Sequence, residues 1–181
     1  CRWTDAVIRV LDTSTGEEVS RFAGHTSRID AIEFAPDGKL VASSGWDKVV
    51  HLWHAEDGSV VRTIEGFEHP VYRLAFSPDG SRLAAVQGPS GVWGLYQSGA
   101  LRILDAGTGE ERASTEKYRS EVRSLAFSAD GTRVAAGWGG RGRMDGQKPY
   151  LVRVFDSATG EVVSEMNGPE GARAESLAFG P

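Results

Sequence analysis

The sequence predicts an all-β protein built from repeated four-stranded antiparallel units, and three observations carry that prediction. Short apolar runs recur with the same strand, turn, strand cadence; Asp-Gly turns fall between them at matching positions; and the 23 glycines of the 181-residue chain fit many turns rather than helices. No interval shows the apolar spacing of an amphipathic helix, because the apolar residues cluster in runs of four to six separated by Gly, Asp, Ser and Thr.

Two families of segment alternate along the chain. The first comprises IDAIEFAPDGKLVAS from Ile29, VYRLAFSPDGSRLAA from Val71, VRSLAFSADGTRVAA from Val122 and the shorter AESLAFGP from Ala174. The second comprises VIRVLDTSTGEEV from Val7, VHLWHAEDGSVV from Val50, LRILDAGTGEERA from Leu101 and VRVFDSATGEVV from Val152. In the first family, Asp37-Gly38, Asp79-Gly80 and Asp130-Gly131 place glycine where positive φ is needed and aspartate where its carboxylate bonds the nearby backbone. In the second family, the Thr-Gly-Glu turns at Thr15, Thr108 and Thr159, with Asp57-Gly58-Ser59 as the variant, close the other hairpin.

Taken in order, residues 6–22 supply the third and fourth strands of one unit, and 29–63 a complete unit. Residues 71–115 and 122–166 are complete units that each carry an insertion, and 174–181 read as the first strand of a further unit. The Asp-Gly turns at Asp37, Asp79 and Asp130 lie 42 and then 51 residues apart. The shorter interval matches the roughly 40–45 residues of a four-stranded β-propeller blade.

At this point the chain resembles the WD40 repeat family over essentially its whole length, most closely in the unit 29–63. There Gly24-His25 precedes the first strand, Asp47 follows Ser43 and Ser44 at the next corner, and the third strand ends at Trp53. The resemblance implies that His25, Ser43, Asp47 and Trp53 form the hydrogen-bond network with which WD40 blades pin their outer strands, since a buried imidazole and indole N–H each need a partner. The other units depart from the pattern. Gly66-Phe67 and Lys117-Tyr118 occupy the Gly-His position, and Leu11, Leu104 and Phe155 stand in the tryptophan slot. Propellers attached to some peptidases and periplasmic transport proteins share the Leu-Ala-Phe-Ser-Pro-Asp-Gly segment, but Gly24-His25 with Trp53 favours WD40. The fold class is therefore a WD40-type propeller with an incomplete ring of about four blades. That inventory leads us to expect part of a longer chain, with head-to-tail closure between copies as the alternative.

The excess length lies at Gln87–Gly99 and Gly137–Pro149, between the second and third strands of the last two units. By resemblance, both connections share the propeller face on which WD40 proteins often dock ligands. They carry Trp93, Tyr96, Trp138, Arg141, Arg143 and Lys148, and aromatics with arginine are the residue types enriched at binding hot spots. Trp46 at the equivalent corner and Tyr72 at the start of an inner strand extend the expected partner-binding patch.

Composition excludes more than it selects. The net charge of −5 gives no overall attraction to phosphate, and no apolar run approaches the ~20 residues that span a bilayer. The single cysteine leaves no disulfide framework and no Cys/His zinc cluster, and the expected location is the cytoplasm. Gly137 to Gly142 matches G-x-G-x-x-G, but no helix follows to meet a pyrophosphate. His51 and His54 point to opposite strand faces, His69-Pro70 is a turn, and Asp12, Asp105 and Asp156 recur as turn elements. No catalytic set, metal site or cofactor is expected. The function predicted is a non-catalytic scaffold for a protein partner; the alternative is the propeller arm of a larger enzyme or sensor.

Overall fold

The computed structural model describes residues 6–88, 99–115, 121–139, 150–169 and 173–180. Among them the chain is all-β, with no helix long and apolar enough to cross a membrane. The first sheet holds β1 (Ile8–Leu11) and β2 (Glu18–Phe22). The second holds β3 (Ile29–Phe34), β4 (Leu40–Gly45), β5 (Val50–His54) and β6 (Val60–Ile64). The third holds β7 (Val71–Phe76), β8 (Arg82–Gln87), β9 (Ala100–Asp105) and β10 (Glu111–Ser114). The fourth holds β11 (Glu121–Phe127), β12 (Arg133–Gly139), β13 (Tyr150–Asp156) and β14 (Val162–Asn167).

Each sheet is an antiparallel meander in chain order, because tight turns join neighbouring strands. Gly38, Gly80 and Gly131 adopt φ of 70°, 71° and 70°. The aspartate before each accepts the amide two residues beyond itself: Lys39 to Asp37 at 2.9 Å, Ser81 to Asp79 at 3.0 Å and Thr132 to Asp130 at 3.0 Å. Hydroxyls of Ser77 and Ser128 also donate to Asp79 and Asp130, and these bonds hold both carboxyls down at about 2.

The core lies between sheets. Ala42, Leu52 and Ile64 pack on Leu74, Phe76 and Leu83, and Leu101, Ile103 and Ala113 pack on Val122, Val134 and Phe155. Ile8 and Phe22 cover Val41 and Trp53. The innermost strands β3, β7 and β11 lie side by side, so the sheets fan out from them as propeller blades do.

Leu74 and Phe76 show the packing rule: inner-strand residues bury against the preceding sheet. Ile32 and Phe34 hold the same register positions in β3, yet they are 48% and 49% exposed where Leu74 and Phe76 are each 8%. The sheet before β3 presents only β1 and β2 among the described residues, and these cover the outer half of the second sheet.

Residues 173–180 differ from the strand expected from Ala174. They make a bridge at Arg173 but no ladder, and lie as an extended strap on the fourth sheet. Ala174 donates its amide to the Trp138 carbonyl at 3.0 Å, the Ser124 hydroxyl donates to the Ala174 carbonyl at 2.7 Å, and Leu177 and Phe179 pack on Ala135 and Val152.

Candidate functional site

The second sheet assembles its polar network from four segments. The Trp53 indole, fully buried, donates to the Ser43 hydroxyl at 3.1 Å. An indole only donates, so Ser43 turns its own proton to His25 Nε2 at 2.8 Å. His25 then carries its proton on Nδ1 and donates it to Asp47 Oδ2 at 2.7 Å. The same carboxylate oxygen takes the Thr26 amide at 3.0 Å, fixing the loop ahead of β3. The structure thus brings His25, Ser43, Asp47 and Trp53 into one connected chain of hydrogen bonds.

Above the network, at the β4–β5 corner, stands Trp46, a large side chain that is 40% exposed. Its position is set by backbone. The Trp46 amide donates to the Arg28 carbonyl at 2.8 Å, and a Cβ on Gly45 would run into that carbonyl, so only glycine lets the two loops meet. Lys48 sits in the left-handed region with φ of 63°, closing the corner through its amide to the Gly45 carbonyl at 3.3 Å. The Arg28 guanidinium lies 5.9 Å from the Trp46 ring and pairs with Asp30 at 2.7 Å. An exposed indole with an adjoining guanidinium is the kind of surface that buries well against a protein partner.

Two residues expected in the same patch face inward instead. Tyr72 is buried, its phenol accepting the Val122 amide at 3.2 Å, and Trp138 is buried with its ring 6.2 Å from Phe155. Both follow from strand alternation: each lies on a strand whose faces are covered by neighbouring sheets, so an aromatic there packs between blades. Trp93, Tyr96, Arg141, Arg143 and Lys148 lie outside the described residues.

Sequence reasoning also missed residues that do structural work at this corner. His51 and Phe22 pack against the network: His51 lies 4.7 Å from His25 edge to face, and Phe22 stacks on Trp53 at 5.1 Å and meets His51 at 5.1 Å. In the third sheet Phe67 takes the place of His25, the Arg102 guanidinium lies 4.3 Å from its ring, and the Gln87 side-chain Oε1 takes the Glu68 and His69 amides as Asp47 takes that of Thr26. The signal was legible, because Arg9, Arg102 and Arg153 precede Asp12, Asp105 and Asp156 by the same three residues, while His51 stands in that slot of the second sheet. His25, Asp47 and His51 also bring ligand-type atoms within 4.8 Å of one another, but both His25 nitrogens are already engaged by protein partners.

A family model described as "WD domain, G-beta repeat" matches residues 16–54, 58–95 and 110–146, more than half of the chain. The eukaryotic translation initiation factor 3 subunit I of Candida albicans is 31% identical over 164 residues, covering 90% of this chain and 45% of its own length. Its counterpart from Scheffersomyces stipitis is 31% identical over 165 residues, covering 90% of this chain and 45% of its own length. That of Aspergillus fumigatus is 27% identical over 169 residues, at 92% and 48%. The chain thus spans about half the length of the curated relatives it matches. Among solved structures, the computationally designed Ika8 protein superposes with a TM-score of 0.75 at 23% identity, over 98% of this chain and 48% of that one. The designed Ika4 protein gives 0.69 at 23% identity, over 92% and 88%. At that identity these two show the fold alone.

Proposed function

The chain belongs to the WD40 repeat family, and from that premise we propose that it is a non-catalytic scaffold that holds a protein partner on the face bearing Trp46. The observation that carries this reading is the corner itself: a large aromatic ring kept 40% exposed over a buried hydrogen-bonded network. Placing an indole in water is unfavourable by hydrophobic transfer, so a corner that fixes it there suits a surface that becomes buried on association. The network beneath gives the ring a rigid base, which lowers the entropy lost on binding. The likeness to a translation initiation factor subunit supports a place within a larger assembly and in the cytoplasm. The connections after β8 and β12 carry Trp93, Tyr96, Arg141 and Arg143 in the sequence, residue types enriched where proteins bind one another.

A photo-crosslinking amino acid in place of Trp46, compared with one in place of Val61 on β6, tests the proposal in cells that express the protein. The expected result is a discrete protein adduct from position 46 and none from position 61. Equal labelling from both positions would sink the reading.

A further inference from the structure

We propose that the paired imidazoles of His25 and His51 form an acid-released latch that ties the loop 23–28 and the β1–β2 hairpin to the second sheet. The geometry comes first. Phe22, at the end of β2, meets both the His51 ring at 5.1 Å and the His25 ring at 5.8 Å, and stacks on Trp53. A Cβ on Gly24 would collide with the Phe22 ring, so the loop is pressed onto the same ring that the histidines hold. His51 therefore lies beneath a joint made by β2, the loop ahead of β3 and the corner after β4.

The repeat shows what is unusual about His51. In the same register slot the other sheets carry arginine, and each arginine meets a glutamate on the fourth strand: Arg9 with Glu18 at 3.5 Å, Arg102 with Glu111, and Arg153 with Glu165 at 2.8 Å. His51 is the titratable member of this series, and its fourth-strand partner is the hydroxyl of Thr63 at 2.9 Å, which brings no charge. The titratable or charged groups that face it are His25 from the loop and Asp47 from the corner. The β6 strand presents Thr63 and β2 presents Phe22; β4 presents Ser43, whose hydroxyl is committed to His25 and Trp53. The loop also offers the Gly24 backbone.

A proton on His51 thus creates a buried cation beside Asp47, whose Oδ2 holds the His25 Nδ1 proton and the Thr26 amide and whose buried Oδ1 has no hydrogen-bond partner. Turning the carboxylate to bring its open Oδ1 to the new charge draws Oδ2 away from those two donors. Burial, and then the neighbouring His25, push the His51 pKa below its ordinary value of 6.5. The unfolded chain therefore takes up this proton at a higher pH than the folded chain does. The stabilisation from a neutral His51 is fully present above about pH 6.5 and is lost progressively as pH falls below it.

Hydrogen exchange of the intact chain, measured as protection factors across the range from about pH 7.5 to 5, tests the latch. Protection of the Thr26 amide should fall at least about tenfold relative to the β8 amides, and His51→Gln should remove that pH dependence. A His51→Gln protein that keeps the wild-type pH dependence, or wild-type Thr26 protection that stays constant, overturns the proposal. Should His51→Gln fail to fold, an NMR titration of the His51 ring in the wild type decides. The ring must take its proton over the same pH interval in which Thr26 opens; a ring that stays neutral while Thr26 opens refutes the latch.

Discussion

At the residue scale, Ser43 is the pivot of the second sheet, because one hydroxyl bonds both the Trp53 indole and His25 Nε2. Ser43→Ala should destabilise the protein by about 1–3 kcal/mol, the cost of leaving a buried donor and acceptor unmade. Trp53→Ala removes a fully buried indole together with the ring on which Phe22 stacks, and should cost about 3–5 kcal/mol. Urea unfolding of the two variants reads both values. A near-neutral Trp53→Ala would mean that the packing around Phe22 and Val41 is not closed.

At the element scale, the hairpins that join first and second strands are held by aspartates rather than by packing. Asp79 and Asp130 accept serine hydroxyls and backbone amides, which lower each carboxyl from 3.8 to about 2. A depressed carboxylate stabilises the fold above its unfolded value and loses that contribution as pH falls through the folded one. The urea midpoint of the wild type should therefore drop as pH falls from about 4 to about 2. Asp79→Asn with Asp130→Asn, which keeps an acceptor oxygen but does not titrate, should flatten that part of the profile.

At the scale of the whole molecule, the repeat defines what its own surface lacks. Leu74 and Phe76 bury against the sheet before theirs, whereas Ile32 and Phe34 present the same apolar face to solvent. An exposed face of this kind promotes association. Light scattering over a range of concentrations should show self-association that declines in Ile32→Ser with Phe34→Ser. The same pair should change thermal stability far less than Leu74→Ala, for which about 2–5 kcal/mol is expected. Association unaffected by the double change would assign it to another surface.

What the sequence determined by itself is the local part of this protein. Alternating apolar positions specify strands, Asp-Gly and Thr-Gly-Glu specify hairpins, and a repeat of these specifies four-stranded sheets, because each signal acts within a few residues. The chain of bonds from Trp53 to Asp47 was implied by the resemblance of Gly24-His25, Asp47 and Trp53 to the WD40 repeat, and spacing alone did not specify it. The tertiary structure decided which aromatics face out. Tyr72, Trp138 and Trp46 look alike in sequence, but whether a neighbouring blade covers the side chain depends on packing between segments distant in the chain, and only Trp46 is left in solvent. It also decided that Phe22 and His51 meet at the joint beneath Trp46. One comes from the first sheet and the other from the second, and no local pattern records their contact.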